Sequence, residues 1–388
     1  MLRVATAVVA LTASASAAAA PPVVVIGSGI GGLSCACMLA KYGKPVVVLE
    51  SHEHAGGCAH SFERGGFTFD SGPSLWAGLS RKSVNPLRQV LDAVGEADSI
   101  DWAEYDGWGM ILPGDDSFYF RTGDNAAWEA TLDRLGGPDA RAQWAKLLDY
   151  ADPVIKASGA TPPMVLRSDP WVVLPLMRQL SGLLSAAPHA RYLNGNFGSL
   201  MDDAGITDPF IRGWLDYLAF ALSGLDASGT LGAAVSYTLG DLYTPGAILD
   251  YPKGGAGAVI GALERGLRKH GGELRLRSHV EEILVDEQSG HACGVRLRNG
   301  EVLEASSVVS NADAWTTTGL LPQEYRPAPR PREGGSLNAA LATTPSFMHL
   351  HLGLGGGPLP EGVGIHYSVL LDGLAEIEKV RHVSSALR

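Results

Sequence analysis

Residues 23–57 constrain what this chain can fold into more than any other stretch, because they carry the parts of one βαβ nucleotide-binding unit in order. The run Val23-Val24-Val25-Ile26 is short, continuous and β-branched, the pattern of a parallel strand buried on both faces. It ends at Gly27-Ser28-Gly29-Ile30-Gly31-Gly32. Gly27 permits the tight turn, Gly29 lets a pyrophosphate approach the backbone, and Gly32 lets the following helix pack close to the strand. That helix should run from about Ile30 to Tyr42, so its first N–H groups and its dipole favour an anion at the glycines. Gly43 ends it. Pro45-Val46-Val47-Val48-Leu49 reads as a second strand, and Glu50 follows the glycines by about twenty residues. A carboxylate there can accept both ribose hydroxyls and repels a 2′-phosphate. The glycine pattern alone is shared by NAD and FAD proteins and leaves that choice open.

The next residues discriminate. Beyond Glu50 come Ser51-His52-Glu53-His54-Ala55-Gly56-Gly57-Cys58-Ala59-His60-Ser61-Phe62, then Gly65-Gly66-Phe67-Thr68-Phe69-Asp70-Ser71-Gly72-Pro73. An acidic residue followed at this distance by a Gly-Gly loop resembles the amine oxidase and phytoene desaturase-like flavoprotein superfamily. The resemblance implies an α/β fold: a Rossmann-like FAD-binding domain of the glutathione-reductase-like kind with an inserted helix-rich α+β substrate lobe. FAD is the implied cofactor. The implied cofactor-binding residues are Gly27, Ser28, Gly29, Ile30, Gly31, Gly32, Glu50, Ser51, Gly56, Gly57, Ser61, Val280 and Asn311. Among them Val280 would offer its backbone to the adenine ring, and the loop at Ser310-Asn311-Ala312 would lie by the cofactor. Glu63 and Arg64, just past the Gly-Gly loop, read equally as cofactor contacts or as a solvated pair.

At 388 residues the chain exceeds one ordinary domain. The resemblance divides it into a leader at 1–20, a first cofactor-domain part at 21–82, a substrate lobe at 83–250, a second cofactor-domain part at 251–320, and a partial return to the lobe at 321–388. A net charge of −11 without a Lys/Arg cluster argues against a nucleic-acid partner and is compatible with a neutral, apolar substrate. Cys35, Cys37, Cys58 and Cys293 form no CxxC or metal-ligand spacing, and Cys35 and Cys37 point to different sides of one helix. The first twenty residues, acid-free and Ala/Ser-rich with a single Arg3, suit a plastid-directing leader or a secretory signal peptide.

Period and turn signals place the remaining elements. Val84, Leu87, Val90, Leu91 and Val94 have helical period between Arg81 and Ala97, and Trp108–Leu112 with Ser117–Phe120 reads as a hairpin. Helices are expected at about Asn125–Leu135, Asp139–Ala157, Asp169–Ser185, Asp208–Ser223 and Thr230–Leu242. The apolar run Pro170–Leu184, with Arg178 as its only charge, suits a core helix kinked at Pro175 or a peripheral membrane contact. The resemblance is strong again at Tyr251-Pro252-Lys253-Gly254-Gly255. From there a helix over Ala258–His270 leads to strands at Glu273–Arg277, Val280–Val285, Gly294–Leu297, Glu301–Glu304 and Ser307–Ser310. Pro345–Gly353 reads as a strand with His349 and His351 on one face. No third ligand accompanies that pair, so no metal site is read there. The resemblance covers roughly Val23 to Leu371, and the chain ends before the C-terminal FAD segment that its family normally carries, as a truncated form would.

No acid/base pair is legible, and the GxSxG and HExxH motifs are absent, so the catalytic residues are not assigned. The Gly-Cys-Ala-His60-Ser61-Phe62 and Ser-Phe-Met-His-Leu-His-Leu-Gly353 runs look most like carotenoid isomerase-like proteins of photosynthetic organisms. That resemblance implies a polyene such as poly-cis lycopene, isomerised from cis to trans by reduced flavin without net redox change. It also implies a plastid, with the secretory pathway as the alternative. A polyene or retinoid desaturase or saturase is the neighbouring expectation. An amine oxidase is disfavoured by Cys58 in place of the arginine of a GGR loop. A catalytically incomplete flavin- or polyene-binding fragment is the expectation from a different class.

Overall fold

Four short strands form an all-parallel sheet in the order Glu273–Arg275, Val46–Leu49, Val23–Ile26, Ser307–Ser310, the two inner ones wholly apolar. The computed structural model describes residues 20–73, 75–114, 116–160, 177, 187–326, 348–355, 363–370 and 373–374. The chain divides into two units, Met1–Gly57 with Leu263–Pro327, and Cys58–Ala262 with Ala328–Arg388.

In the first unit the central strand is buried along its whole length, which is why it is all Val and Ile. The helix Ile30–Lys41 follows it and buries Leu33, Ala36, Cys37 and Ala40. The Cys37 thiol donates to the Leu263 carbonyl at 3.1 Å, and burial pushes its pKa up to about 12. A three-stranded antiparallel sheet, Val280–Val285, Ala292–Leu297 and Val302–Glu304, packs Val280, Ile283, Val295 and Leu297 with Val24, Ile26 and Leu49 in one core. Asn299-Gly300 makes the turn between its last two strands, with Asn299 Oδ1 accepting from the Glu301 amide at 3.0 Å.

The second unit is built on a core of rings. Trp108, Phe118, Phe120, Trp128, Trp144, Trp214 and Tyr243 are all buried in it. They come from the hairpin Gly107–Ile111 and Phe118–Arg121 and from the helices Asn125–Leu135, Ala140–Ala160, Pro209–Ser223 and Gly232–Tyr243. Trp214 lies within 6.0 Å of Trp108, 5.0 Å of Phe120 and 5.1 Å of Trp128, and its indole N–H donates to Tyr243 Oη at 2.7 Å. Helix ends follow their caps. Asp124 and Asp208 accept from Ala127 N and Ile211 N, each at 3.0 Å, and Pro209 occupies the first turn of its helix. The helix expected from Arg81 begins instead at Pro86, because Asn85 accepts from Leu87 N at 2.9 Å and caps it there.

One sequence expectation is corrected. Residues 348–355 pair with no strand, and Met348, Leu350 and Leu352 are 99%, 82% and 67% exposed. The parallel partner of Gly107–Ile111 is Tyr367–Val369 instead. The alternation of His349 and His351 survives as two stacked rings 5.8 Å apart, and His351 meets Phe62 edge-on at 5.3 Å. The leader apart from Ala20, the run Pro170–Leu184 apart from Met177, and the C-terminal residues 375–388 lie outside the described residues. Among the described residues, no helix is long and apolar enough to cross a membrane.

Candidate functional site

The strongest local constraint in the first unit is the turn from strand to helix after Ile26. Gly27 has φ +91°, a conformation open to glycine and strained for other residues, and its N–H donates to Leu49 O at 2.8 Å. A Cβ on Gly32 would overlap the Gly27 carbonyl oxygen, so the helix can approach the strand only because that side chain is missing. The cap residue Gly29 brings no side-chain hydrogen bond to the first helical turn, which also contains no acidic residue. A turn with this geometry presents backbone donors and the positive end of the helix dipole to an incoming anion.

Three flanks enclose the turn. Asn311 follows the strand Ser307–Ser310, donates its backbone N–H to Ile26 O at 2.8 Å, and holds its amide over the glycines. A Cβ on Gly29 would come within 2.9 Å of Asn311 Nδ2, and one on Gly31 within 2.6 Å of its Oδ1. On another side the Gly56 N–H donates to Ser28 O at 3.0 Å and to Ser28 Oγ at 3.3 Å, pairing the second glycine loop with the first. Gly57 follows, close enough that a Cβ there would stand 3.2 Å from Gly29 Cα.

Glu50 forms the third flank and is only 8% exposed. Its Oε2 accepts from Ser28 N at 2.9 Å and Ser28 Oγ at 2.6 Å, and its Oε1 from His52 N at 2.8 Å and Ser51 Oγ at 3.3 Å. Burial acts to raise the carboxyl, but the hydrogen bonds from Ser28, His52 and Ser51 outweigh it and hold the group below its ordinary value. The buried carboxylate is therefore ionised at neutral pH.

Beyond Ser51 the same unit opens into a cavity of about 310 Å³, lined by Ser51, Arg277, Ser278, His279, Leu297, Arg298 and Asn299. That lies within the ~300–1,000 Å³ typical of small-molecule clefts. Its wall is tied to the loop after Glu50: Ser278 N donates to Glu50 O at 2.7 Å, Arg277 N to His52 O at 2.9 Å, and Arg277 pairs with Glu53 at 2.6 Å. Val280 is buried beside this wall and faces Leu297 across the ladder. Sequence reasoning did not single out Arg277, His279 or Arg298. Their only signal was position, immediately before Val280 and beside the Asn299-Gly300 turn.

Of the expected residues, Gly27, Ser28, Gly29, Ile30, Gly31, Gly32, Glu50, Ser51, Gly56, Gly57 and Asn311 thus gather around one turn, with Val280 on the strand behind the cavity. Ser61 belongs to the second unit, and its hydroxyl is engaged there. It donates to Asp70 Oδ1 at 2.6 Å and accepts from Gly257 N at 2.7 Å. Asp70 Oδ1 also accepts from Ala256 N at 2.8 Å. Ser61 and Asp70 together therefore cap the helix Ala256–Lys269 from the hairpin Ser61–Arg64 and Phe67–Asp70, and the helix starts at Ala256 because of them.

The chain matches the flavin containing amine oxidoreductase family over residues 30–377. It belongs to that family. The glycine cradle, too tight for any Cβ at Gly32, and the ionised carboxylate at the end of the second strand fit a flavin carried as a dinucleotide, and the cofactor is FAD. A chloroplastic prolycopene isomerase from Daucus carota is 30% identical, covering 92% of this chain and 56% of its own length. All-trans-retinol 13,14-reductase from Homo sapiens is 29% identical over 84% of this chain and 53% of its own, and phytoene desaturase from Neurospora crassa is 29% identical over 78% and 50%. The chain therefore spans about half the length of these curated relatives. Among solved structures, a protein of Pyrococcus furiosus superposes with a TM-score of 0.51 at 20% identity, covering 78% of this chain and 62% of that one. Cyclohexylamine oxidase from Brevibacterium oxydans gives 0.50 at 18%, covering 78% and 60%. Both share the fold of this chain.

Proposed function

We propose that this chain binds FAD in the first unit and acts on a long apolar polyene, isomerising it from cis to trans with reduced flavin and without net redox change. The observation that carries the polyene reading is that three different kinds of relative, at 29–30% identity, are named for prolycopene, retinol and phytoene. When bound, the flavin supplies reversible hydride or electron transfer at its ring. The chain supplies the hold on it. Gly27 to Gly32 would take the pyrophosphate on their backbone, with Asn311 and the Gly56-Gly57 loop closing over it. Two of the four hydrogen bonds to Glu50 come from the Ser28 and Ser51 hydroxyls, which can rotate away and yield their places to the ribose hydroxyls. The adenine would enter the cavity beside Ser51 and Val280. In this reading residues 21–82 and 251–320 are the cofactor domain and 83–250 the substrate lobe.

The test is product mass. Purified full-length chain, loaded with FAD and reduced anaerobically, is incubated with poly-cis lycopene. Isomerisation gives all-trans product of unchanged mass. A product heavier by hydrogens with the reduced flavin, or lighter by hydrogens in a parallel incubation with oxidised flavin, identifies the second reading, a polyene or retinoid saturase or desaturase, which the retinol and phytoene relatives favour. Unchanged substrate with fully bound flavin in both its reduced and its oxidised state contradicts both. Two further proposals go with this reading: a peripheral membrane contact through Pro170–Leu184, which flotation with liposomes tests, and a plastid location, which imaging of a C-terminal fluorescent fusion tests.

A further inference from the structure

Away from the cofactor residues, the second unit contains a three-stranded antiparallel sheet in the order Trp76–Ala77, Leu249–Pro252, Trp102–Tyr105. Asp250 stands directly opposite Trp76, and Trp102 stands opposite Pro252, two residues further along the central strand. In an antiparallel sheet, residues directly opposite one another and residues two apart share a face, so Trp76, Asp250 and Trp102 all project to the same side. Asp250 is completely buried and Trp76 is 7% exposed.

The two oxygens of Asp250 are used unequally. Oδ2 accepts from Leu79 N at 2.6 Å and Ser80 N at 3.1 Å, holding the loop that follows Trp76–Ala77. The Leu79 carbonyl is held in turn by Arg88 Nη1 at 2.8 Å, so this peptide is fixed at both ends. Oδ1 is buried with no hydrogen-bond partner, and so are the indole nitrogens of Trp76 and Trp102. A buried carboxylate oxygen and two buried indole N–H groups left unpaired would each carry the full cost of desolvation.

We propose that this face of the sheet holds one internal water, donating to Asp250 Oδ1 and accepting from the Trp76 indole N–H, with the Trp102 N–H as a further donor on the same face. The chemistry of the three groups selects the ligand. A carboxylate oxygen only accepts and an indole only donates, so whatever joins them must donate at one end and accept at the other. A metal cation would be opposed by the N–H groups, an anion by the carboxylate, and a carbonyl has no proton to give Asp250. Directly opposed residues have Cβ atoms about 4.5–5.5 Å apart, so the Asp250 carboxylate and the Trp76 side chain are immediate neighbours on this face. Buried waters commonly join about three otherwise unsatisfied groups in this way.

A crystal structure of the full-length chain at about 1.8 Å resolution tests the site directly. The expected result is a single spherical peak within hydrogen-bond distance of Asp250 Oδ1 and Trp76 Nε1. A direct Asp250–Trp76 hydrogen bond, no peak, or density larger than one oxygen atom would overturn the proposal; the last would point to a substrate hydroxyl. In solution, the Trp76 indole proton should show a cross-relaxation peak to long-lived water in the ¹⁵N-tryptophan-labelled protein. Absence of that peak would overturn it as well.

Discussion

The glycine turn of the first unit and the capped helix start at Ala256, in the second, both depend on backbone N–H groups at the start of a helix, yet they are assembled in opposite ways. The glycine turn is local. Residues 23–57 provide the strand, the turn, the carboxylate and the second glycine loop, and only Asn311 and the cavity wall come from elsewhere. No side chain caps its first turn. The helix Ala256–Lys269 is capped by Ser61 and Asp70 from a hairpin 186 residues earlier, through Asp70 and Ala256. A first turn left without a side-chain cap suits a ligand, whereas one filled by a carboxylate and a hydroxyl serves stability. The same element does two jobs according to what stands in front of it.

Variants can break or sharpen that contrast. The largest effect should come from Trp214→Ala in the ring core of the second unit, because truncating a fully buried tryptophan costs about 3–5 kcal/mol. Urea unfolding followed by circular dichroism should show it, while chain that remains folded should still take up FAD. Loss of flavin from that folded fraction would mean that the two units are not separable in this sense. Next comes Gly32→Ala. Its Cβ would overlap the Gly27 carbonyl, so about 1–3 kcal/mol of stability should go, as for an overpacked core, together with most FAD uptake. Unaltered FAD binding in this variant would remove the close helix–strand approach from the account.

Asp70→Ala should cost about 1–2 kcal/mol, the usual range for a lost cap, and leave the FAD dissociation constant of the folded protein unchanged. Isothermal titration of the variant with FAD checks this, and a tenfold weaker affinity would place Asp70 with the cofactor residues after all. The smallest effect concerns pH. The Glu50 carboxyl lies below its ordinary value in the folded chain, so its contribution to stability is complete above the unfolded-state value and is lost as the pH falls through the lower, folded one. Unfolding midpoints should therefore fall between about pH 5 and pH 3 by more in the wild type than in Glu50→Gln, given ordinary carboxyl values near 4. Parallel curves would deny Glu50 its buried, hydrogen-bonded state.

The same contrast explains what was legible in the sequence. The stretch from Val23 to Glu50 could be read because each of its constraints acts between near neighbours: continuous burial, a turn that needs glycine, and a carboxylate at a strand end. Asn125–Leu135 was legible down to its ends for a similar reason, with Asp124 as its cap. The pairing of Ser61 with Gly257, and of Asp250 with Trp76, joins residues that no local pattern links, so neither pairing was legible in the sequence. The alternation of His349 and His351 was real, but alternation specifies a strand only where an edge is present to pair with it, and residues 348–355 have none among the described residues.

The most direct measurement is titration of the purified, flavin-free full-length chain with FAD and, separately, with FMN, followed by visible absorbance and by bleaching with anaerobic dithionite. If the turn, Glu50 and the adjoining cavity hold the adenosine half of the cofactor, FAD binds at about one per chain and is bleached, and FMN, which lacks that half, binds far more weakly. Folded chain that takes up neither, or that takes up FMN as well as FAD, would contradict the assignment of this site.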